Sequence, residues 1–184
     1  MCGRFQVNID EPELLEILND LQKEGREPPA LGEMYPTELA PALAARNGSV
    51  AAGLFRWGYE KFDGKGVLIN ARAETVREKP LFRRDFFERR CAVPASGFFE
   101  WSPDKKKYYF RKQAGRLLYL GGFFRRSGGE EKFIILTKDA TPPVSQFHHR
   151  IPVLMEKDAL GDWLTDVSFA SEYLYRDNPV PLIY

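Results

Sequence analysis

Short apolar runs, several of them rich in aromatic residues and bounded by polar or glycine-containing turns, recur along most of the chain, and such runs are typical of β-strands. The pattern predicts strands over residues 50–59, 67–69, 91–101, 107–111, 117–124, 132–137 and 151–155. Gly128-Gly129 lies between two of these runs and predicts a hairpin turn. The sequence therefore predicts a protein built mainly of β-sheet.

Three segments instead favour short helices. Asp10-Glu11-Pro12 predicts a helix start with an Asp cap, because Pro and acidic residues suit the first turn. Leucines then recur at helical spacing and predict a face turned to the core: Leu14, Leu15, Leu18 and Leu21. A second helix is predicted over residues 80–90, with three phenylalanines inward (Phe82, Phe86 and Phe87), and a third near 158–164.

Many strands with a few short helices predict an α+β fold whose core is a curved, barrel-like antiparallel sheet. Length favours one domain over residues 1–184, and 43% hydrophobic residues argue against disorder. No apolar run approaches the roughly 18 residues of a membrane span. Two cysteines are too few for a disulfide framework. Asp10 and Glu11 interrupt any secretory signal. We therefore expect a cytoplasmic bacterial protein without a membrane partner.

Charge is balanced overall but unevenly placed. The chain has 27 Lys and Arg against 26 Asp and Glu, yet residues 72–150 alone carry 18 basic and 9 acidic side chains. Arginine outnumbers lysine 16 to 11, and arginine both forks onto phosphate and stacks on bases. A basic middle between acidic flanks suggests a face that attracts polyanions. The alternative is a solvated face whose charges pair locally.

The opening Met1-Cys2-Gly3-Arg4-Phe5 carries the most specific chemistry. Because Cys is small, we expect an aminopeptidase to remove Met1 and leave Cys2 as the first residue. An α-amine (pKa about 7.7–8.0) and a thiol (pKa about 8.5) on adjacent carbons are then both reactive near neutral pH. Together they can capture an aldehyde as a Schiff base that closes to a thiazolidine ring. The alternative is a terminal cysteine with no role.

Three further polar residues are candidates for a site around Cys2. Asn70 ends an apolar strand, and Glu100 lies within an aromatic run where burial would raise its pKa and suit general acid work. His148, adjacent to His149, could move protons near neutral pH. Each has a plainer alternative as a solvent-facing side chain. No spacing of His, Cys and carboxylates indicates a metal site, and no glycine-rich phosphate loop is present, so no cofactor is predicted.

Tryptophans lie among basic residues and could stack on unpaired bases. Trp57 follows Arg56, and Trp101 lies close before Lys105, Lys106 and Lys107. Core packing is the alternative for each one. Cys91 is interpreted as a buried strand residue.

Five segments in order resemble the SOS response-associated peptidase (SRAP) family of abasic-site shield proteins. They are Cys2-Gly3-Arg4-Phe5, Trp57-Gly58, Asn70-Ala71-Arg72-Ala73-Glu74-Thr75, the run 90–101 (RCAVPASGFFEW) and His148-His149-Arg150-Ile151-Pro152. The family usually has Met where Ile151 stands, and Tyr59-Glu60 replaces the expected Pro-Trp after Trp57-Gly58. The resemblance implies a barrel-like sheet, a basic groove for single-stranded DNA and a covalent link through Cys2.

The resemblance also implies a role for each matched residue. Cys2 would be the thiazolidine-forming nucleophile, Asn70 its positioning side chain, Glu100 the acid that opens the abasic sugar, and His148 a proton-transfer group. Contacts to DNA are implied for a larger set: Arg4, Arg72 and Arg150 on phosphates, Trp57 and Trp101 on bases, Pro36 with Thr37 in a groove-lining loop, and Thr137 at a strand end. Abasic lyase and autopeptidase activities would accompany the cross-link.

The expected partner is single-stranded DNA that contains an abasic site, bound by a monomer that is nucleoid-associated while it acts, with replication-fork proteins as further partners. Two other classes remain open. One is a cysteine peptidase with Cys2 as nucleophile, His148 as base and Asn70 as orienting group. The other is a non-catalytic single-strand binder that uses Trp57, Trp101 and the arginines.

Overall fold

A curled sheet closes on itself to form the centre of the molecule. The computed structural model describes residues 2–113 and 117–184, so the predicted removal of Met1 lies outside the described residues. The described strands are β1 Arg4–Gln6, β2 Glu33–Met34, β3 Leu39–Arg46, β4 Ser49–Trp57, β5 Tyr59–Glu60, β6 Val67–Leu68, β7 Asn70–Arg72, β8 Arg90–Ala95, β9 Gly97–Trp101, β10 Lys107–Lys112, β11 Leu118–Ser127, β12 Glu130–Asp139, β13 Arg150–Pro152, β14 Leu154–Met155 and β15 Leu182–Ile183. The described α-helices are α1 Pro12–Lys23, α2 Pro80–Glu88, α3 Leu160–Thr165 and α4 Val167–Tyr173. The predicted α+β class is confirmed.

The ring runs through five neighbouring strands in the order β12-β4-β3-β8-β11 and returns to β12. Its β11–β12 hairpin turns at Gly128-Gly129, as predicted, and both glycines adopt positive φ angles of 62° and 79°. A side chain at either position would be strained, which explains why glycine suits this turn.

The sheet is mixed rather than purely antiparallel. β12 pairs in parallel with β4 and with β7, because the chain leaves the ring after Trp57 and re-enters it at Asn70. The register places Asn70 beside Ile135 and Arg72 beside Thr137. The interposed β5–β6 hairpin forms a separate two-stranded sheet. Two parallel pairings therefore correct the expected all-antiparallel core.

A second sheet, in the order β15-β10-β9-β1-β2, carries the N-terminal segment. β1 lies between β2 and β9, so both edges of this three-residue strand are hydrogen-bonded. Its register pairs Arg4 with Phe99, which brings the residues before β1 close to the end of β9. Two-sided pairing is what fixes a segment so near the chain start, since unpaired termini are usually poorly ordered.

Helix α1 lies on the barrel through one apolar stripe. The buried residues are Leu14, Ile17, Leu18 and Leu21, which follow the i, i+3, i+4, i+7 spacing of a helix face. Leu15 is exposed, which corrects its assignment to the core: each residue turns about 100°, so the neighbour of Leu14 points sideways. The expected Asp10 cap is also absent from the described structure, since Glu11 holds the N-cap position without a side-chain hydrogen bond.

Several elements differ from their predicted bounds. The run 91–101 is two strands, β8 and β9, separated at Ser96, and the run 151–155 is likewise divided into β13 and β14. β3 was not predicted, because half of its residues are alanines, which have low strand propensity, and it contains few large apolar residues. α4 was also not predicted, although Asp166 caps it by accepting from the Ser168 and Phe169 amides.

The barrel interior is filled by aromatic and aliphatic side chains from both sheets. Cys91 on β8 is fully buried there, as predicted. None of the helices in the described ranges is both long and apolar enough to cross a membrane. The two sheets meet at the chain start, which is where the candidate residues lie.

Candidate functional site

Four candidate residues that are far apart in the sequence lie together beside the first strand. Cys2 precedes β1, Asn70 begins β7, Glu100 lies on β9, and His148 lies two residues before β13. The Asn70 side-chain amide donates to the Cys2 carbonyl at 2.8 Å, and His148 Nδ1 lies 3.6 Å from Glu100 Oε2. The negative charge of Glu100 also acts on the Cys2 thiol. The two sheets thus bring a thiol, a carboxyl, an imidazole and an amide into one site.

Cys2 is fully buried, and its surroundings favour the neutral thiol. Burial raises the pKa of Cys2 well above its usual range, and the nearby Glu100 carboxylate raises it further. The thiol donates weakly to the Arg4 carbonyl, with a sulfur–oxygen distance of 3.6 Å. A buried thiol of this kind is inert until a base takes its proton.

The Asn70 side chain uses its amide nitrogen to hold the Cys2 backbone and leaves its amide oxygen without a partner among the described residues. The side chain follows an apolar strand end, so its amide projects across the barrel rim toward Cys2. Its Oδ1 atom is buried and accepts no hydrogen bond from the residues that the structure describes. A buried acceptor without a partner costs free energy, on the order of 1–3 kcal/mol, and a group that donates to it recovers that cost.

Glu100 is the most strongly perturbed carboxyl of the site. It is 1% exposed on β9, whose register places it opposite Tyr108 of β10. Burial raises its pKa from 4.5 to about 7. A carboxyl with a pKa near neutrality is populated in both forms, so it can donate a proton in one step and accept one in another.

His148 is oriented by the turn that follows it. Its Nδ1 atom lies 3.1 Å from both the amide nitrogen and the carbonyl oxygen of Arg150, so the backbone fixes the ring in either tautomer. Burial lowers its pKa below the ordinary value of 6.5, which favours the neutral imidazole at pH 7. His149 is exposed, although the two rings are only 4.5 Å apart between centroids. The first histidine of the pair is therefore the one that faces the site.

A cationic and aromatic rim borders Cys2. The Arg4 guanidinium lies 3.9 Å from the Tyr35 ring centroid and 5.6 Å from that of Trp101, and it pairs with Glu33 at 2.7 Å. Lys107 also pairs with Glu33 and lies 5.8 Å from the Trp101 ring. These two cations hold the pKa of Glu33 below its usual value. Trp101 is half-buried, with both cations close to its ring.

Two other expected DNA contacts are accessible. Arg72 is exposed at the end of β7, two residues after Asn70. Pro36 is half-buried in a turn whose next residue, Thr37, has a positive φ of 76° and donates its amide to the Trp57 carbonyl. Arg72 and Pro36 therefore remain positioned for contact with a ligand at the rim.

Trp57 does not offer a stacking surface, which contradicts the prediction for this residue. It is 1% exposed and lies between the rings of Phe5 and Phe133, at centroid distances of 5.0 and 6.1 Å. Its indole N–H donates to the Ile69 carbonyl at 3.1 Å. The plainer alternative of core packing is correct, because β4 ends inside the space between the two sheets.

Thr137 and Arg150 are also inside the protein, which contradicts their assignment to DNA contacts. Thr137 is buried on β12, and its hydroxyl faces the Ala71 carbonyl at 3.5 Å. Arg150 makes two 2.8 Å hydrogen bonds to Glu74, pairs with Asp139 at 2.5 Å, and donates to the Thr137 carbonyl at 2.7 Å. Its guanidinium is committed to joining β13 to the turn after β7, so it positions the His148 turn instead of meeting phosphate.

The sequence analysis gave no role to Tyr35 or Glu74. Tyr35 precedes Pro36, and Glu74 belongs to the segment that begins at Asn70, so both lie inside segments that the resemblance covers. Lys107 was grouped with Lys105 and Lys106 beside Trp101, and the structure places it next to that ring and Glu33. Across residues 2–113 and 117–184, no group of three or more His, Cys, Asp or Glu side chains could hold a metal ion.

The fold and this site define a class: small curled-sheet proteins with a cysteine held at the second position beside a carboxyl and an imidazole. The sequence profile of the SOS response associated peptidase (SRAP) family matches residues 1–177, and the chain belongs to that family.

Named relatives and a solved structure agree with this assignment. The abasic site processing protein YoaM of Bacillus subtilis is 27% identical, over 95% of this chain and 83% of its own length. The abasic site processing protein YedK of Escherichia coli is 28% identical, over 89% and 79%. A crystal structure of a protein from Bordetella bronchiseptica superposes with a TM-score of 0.78 at 21% identity, over 99% of this chain and 97% of that one, and shows the shared fold.

Proposed function

We propose that this protein processes abasic sites in single-stranded DNA by linking them covalently to Cys2 after Met1 has been removed. The observation that carries the proposal is the convergence of Asn70, Glu100 and His148 on the segment that holds Cys2. The names of the relatives YoaM and YedK, both abasic site processing proteins, support the same substrate.

The reaction uses both nucleophiles of an N-terminal cysteine. An abasic deoxyribose equilibrates between a closed hemiacetal and an open aldehyde, and a proton from Glu100 to the ring oxygen favours opening. The Cys2 α-amine adds to C1′, and the carbinolamine loses one water to give a Schiff base. The sulfur then forms a bond to the same carbon, while the thiol proton passes to the nitrogen. The product is a thiazolidine, with one water released and no cofactor required.

The surroundings assign a task to each neighbouring side chain. Glu100, with its pKa raised to about 7, donates to the sugar oxygen and in the ionised form takes the proton from the buried thiol. Neutral His148 moves protons to and from the carbinolamine oxygen. Asn70 holds the Cys2 carbonyl, and its Oδ1 is placed to accept from the new α-amine. Such fixed orientation is worth several orders of magnitude in rate when the reacting atoms are held in contact.

The same Schiff base explains the lyase activity that the resemblance implied. If it does not close, it activates the sugar for β-elimination, which is the abasic lyase reaction. Addition of water to the Schiff-base carbon, with Glu100 and His148 moving the protons, would break the C–N bond and reverse the link. Both reactions would compete with ring closure, so the position of the thiol decides the yield of cross-link. The autopeptidase reaction is a separate step, in which water attacks the carbonyl of a peptide bond near the chain start and the amine of the next residue leaves.

The rim supplies the contacts to the strand. Arg4, Lys107 and Arg72 provide cations for phosphates, and the half-buried ring of Trp101 provides a platform for a base. Single-stranded DNA suits this rim better than a duplex because a half-buried ring can stack only on an unpaired base. We propose a monomer that acts on such strands, with replication-fork proteins as partners.

The test is a denaturing gel of purified, Met1-processed protein incubated with an abasic oligonucleotide. We expect a slowly migrating band with wild type and with Cys91→Ala, the matched control for the other buried cysteine. Cys2→Ser should lose the heat-stable band, because a hydroxyl closes the ring poorly. A band of equal stability with Cys2→Ser, or no band with processed wild type, would refute the proposal.

A further inference from the structure

A groove lined by arginines lies away from the cysteine site. It has a volume of about 640 Å³ between the end of α2, the end of β11 and the β3–β4 hairpin. Its basic lining residues are Arg46, Arg84, Arg89, Arg125 and Arg126. We propose that this groove, called here the arginine groove, is a second nucleic-acid-binding surface that holds phosphates several nucleotides from the abasic sugar. The proposal builds on the proposed function only in taking DNA as the partner.

The register of β12 separates the arginine groove from the catalytic residues. Near the start of β12, Glu131 pairs with Arg126 and Lys132 pairs with Arg125. Toward its end, the strands that carry Asn70 and Arg150 pair with residues 135–139. From Glu131 to Ile135, the partner of Asn70, the strand advances four residues, or about 13 Å at roughly 3.3 Å per residue. From Glu131 to Asp139, the partner of Arg150, it advances eight residues, or about 26 Å. The arginine groove therefore lies on average about 20 Å along the strand from the proposed catalytic residues.

Carboxylates hold the guanidiniums in place without neutralising them all. Asp85, which is buried, pairs with Arg89 at 2.7 Å and with Arg125 at 2.6 Å. Glu131 pairs with both Arg46 and Arg126. Glu88 pairs with both Arg84 and Arg89. These five arginines and three carboxylates leave two positive charges in surplus, on donors that are already oriented.

Two of these arginines have no evident structural task. The side chains of Arg84 and Arg126 are 76% and 74% exposed. Arg84 pairs with Glu88, which is 49% exposed, and Arg126 pairs with Glu131, which is 13% exposed. Because both guanidiniums lie largely in solvent, these ion pairs contribute little to stability, typically below about 1 kcal/mol. By contrast, Arg125 packs over the Tyr59 ring at 3.9 Å and donates to the Leu81 carbonyl, so it supports the fold. Arg84 and Arg126 are free to exchange a carboxylate for a phosphate.

An aromatic side chain adjoins the same arginines. The neighbouring depression shares Arg84, Arg89, Arg125 and Arg126 with the arginine groove and adds Phe62 and Leu81. Phe62 is fully exposed at the turn between β5 and β6. Arginine forks that bind phosphate, next to an open ring on which a base can stack, are the elements of a single-strand surface. An acidic peptide would use the cations but would leave the ring without a role.

The distance between the two sites predicts a dependence on strand length. A stacked strand advances about 3.4 Å per nucleotide, so about 6 nucleotides cover 20 Å. A strand shorter than this can fill the cysteine site alone, whereas a strand of about 30 nucleotides can occupy both surfaces. The arginine groove should therefore raise affinity for long strands and leave the chemistry on short ones unchanged.

The test compares Arg84→Glu/Arg126→Glu with wild type on an undamaged single strand of about 30 nucleotides. We expect affinity to fall at least tenfold, and the slope of log affinity against log salt to become shallower by roughly 1.4, about 0.7 for each lost phosphate contact. The matched control is Lys157→Glu/Arg176→Glu, which makes the same charge change at two other exposed, ion-paired positions and should fall less. Circular dichroism and the unfolding midpoint check that each variant is folded.

Undamaged DNA keeps this test independent of the cysteine chemistry. If wild type forms no cross-link but the arginine variant still loses affinity for the long strand, the arginine groove stands and the proposed function fails. If the variant binds the long strand as tightly as wild type, or no more weakly than the control, the arginine groove is not a nucleic-acid surface. Binding of a polyglutamate peptide without an effect on DNA would overturn it in the same way.

Discussion

The side-chain amide of Asn70 donates a 2.8 Å hydrogen bond to the backbone carbonyl of Cys2. This contact joins the first strand of one sheet to the rim of the other across 68 residues of sequence. It holds the backbone of the residue that we propose as the nucleophile, and the buried Asn70 Oδ1 accepts no hydrogen bond from the residues that the structure describes. We therefore propose Asn70 as a positioning residue for Cys2 rather than a participant in bond making.

We expect Asn70→Ala to slow cross-linking at saturating DNA by about tenfold or more, because the α-amine loses its orienting partner. Affinity for an undamaged strand should change less than twofold, since the rim cations are untouched. The measurement is a single-turnover time course on an abasic strand, with affinity followed separately by anisotropy. An unchanged rate constant would remove Asn70 from the positioning role.

Glu100 should shape the pH dependence of the reaction. Its protonated form, needed for ring opening, declines above a pKa of about 7, while the free α-amine increases through about 7.7–8.0. The wild-type rate should therefore be bell-shaped with a maximum between these values. For Glu100→Gln we expect slower cross-linking, retained strand binding and loss of the descending limb. A variant profile that keeps this limb would assign it to another group.

Glu100 should also make stability depend on pH. Its pKa is about 7 in the folded protein and near 4.5 when unfolded, so the folded state binds the proton more tightly. Its contribution is complete below pH 4.5 and is lost as pH rises toward 7, by about 3 kcal/mol in all at about 1.4 kcal/mol per unit. Urea unfolding of wild type and Glu100→Gln from pH 4 to 8 isolates this difference. A constant difference across that range would contradict the raised pKa.

The two adjacent histidines should behave differently. His148 is half-buried and 3.6 Å from Glu100, whereas His149 is exposed. We expect His148→Ala to slow cross-linking by about 10²-fold, in the range for a lost proton-transfer group, and His149→Ala to stay within about twofold. Rates on the same abasic strand at pH 7 provide the comparison. Equal losses in both variants would point to a general disturbance of the turn.

We expect substitution of Trp57 to lower stability and substitution of Trp101 to weaken single-strand binding. Trp57→Phe leaves the Ile69 carbonyl without its 3.1 Å donor and opens a space between Phe5 and Phe133, so we expect a loss of about 1–3 kcal/mol in unfolding free energy. Trp101→Ala should instead weaken single-strand binding by about 1–3 kcal/mol with little change in stability. Urea unfolding and anisotropy on both variants are the measurements. A binding defect confined to Trp57→Phe would reverse the assignment.

Much of the sheet could be predicted because strands such as β10 and β12 contain runs of aromatic or β-branched residues bounded by charged and turn residues. β3 could not, since alanines at positions 40, 42 and 44 fit its strand only through contacts with β4 and β8. The division of residues 90–101 at Ser96 also depends on long-range pairing, because the Ser96 amide donates to the Gln6 carbonyl of β1. These partners are distant in sequence, so local residue propensity cannot predict the pairings.

By itself, the sequence determined the chemical groups: a cysteine beside the chain start, a carboxyl in an apolar run, one pair of histidines and an excess of arginine in the middle. Only the tertiary structure decided which of these groups face the site and which support it. Trp57 and Arg150 are residue types that commonly contact DNA. In the structure, Trp57 packs between Phe5 and Phe133, and Arg150 pairs with Glu74 and Asp139. Tryptophan and arginine suit either role, and burial by residues distant in sequence is what selects between them.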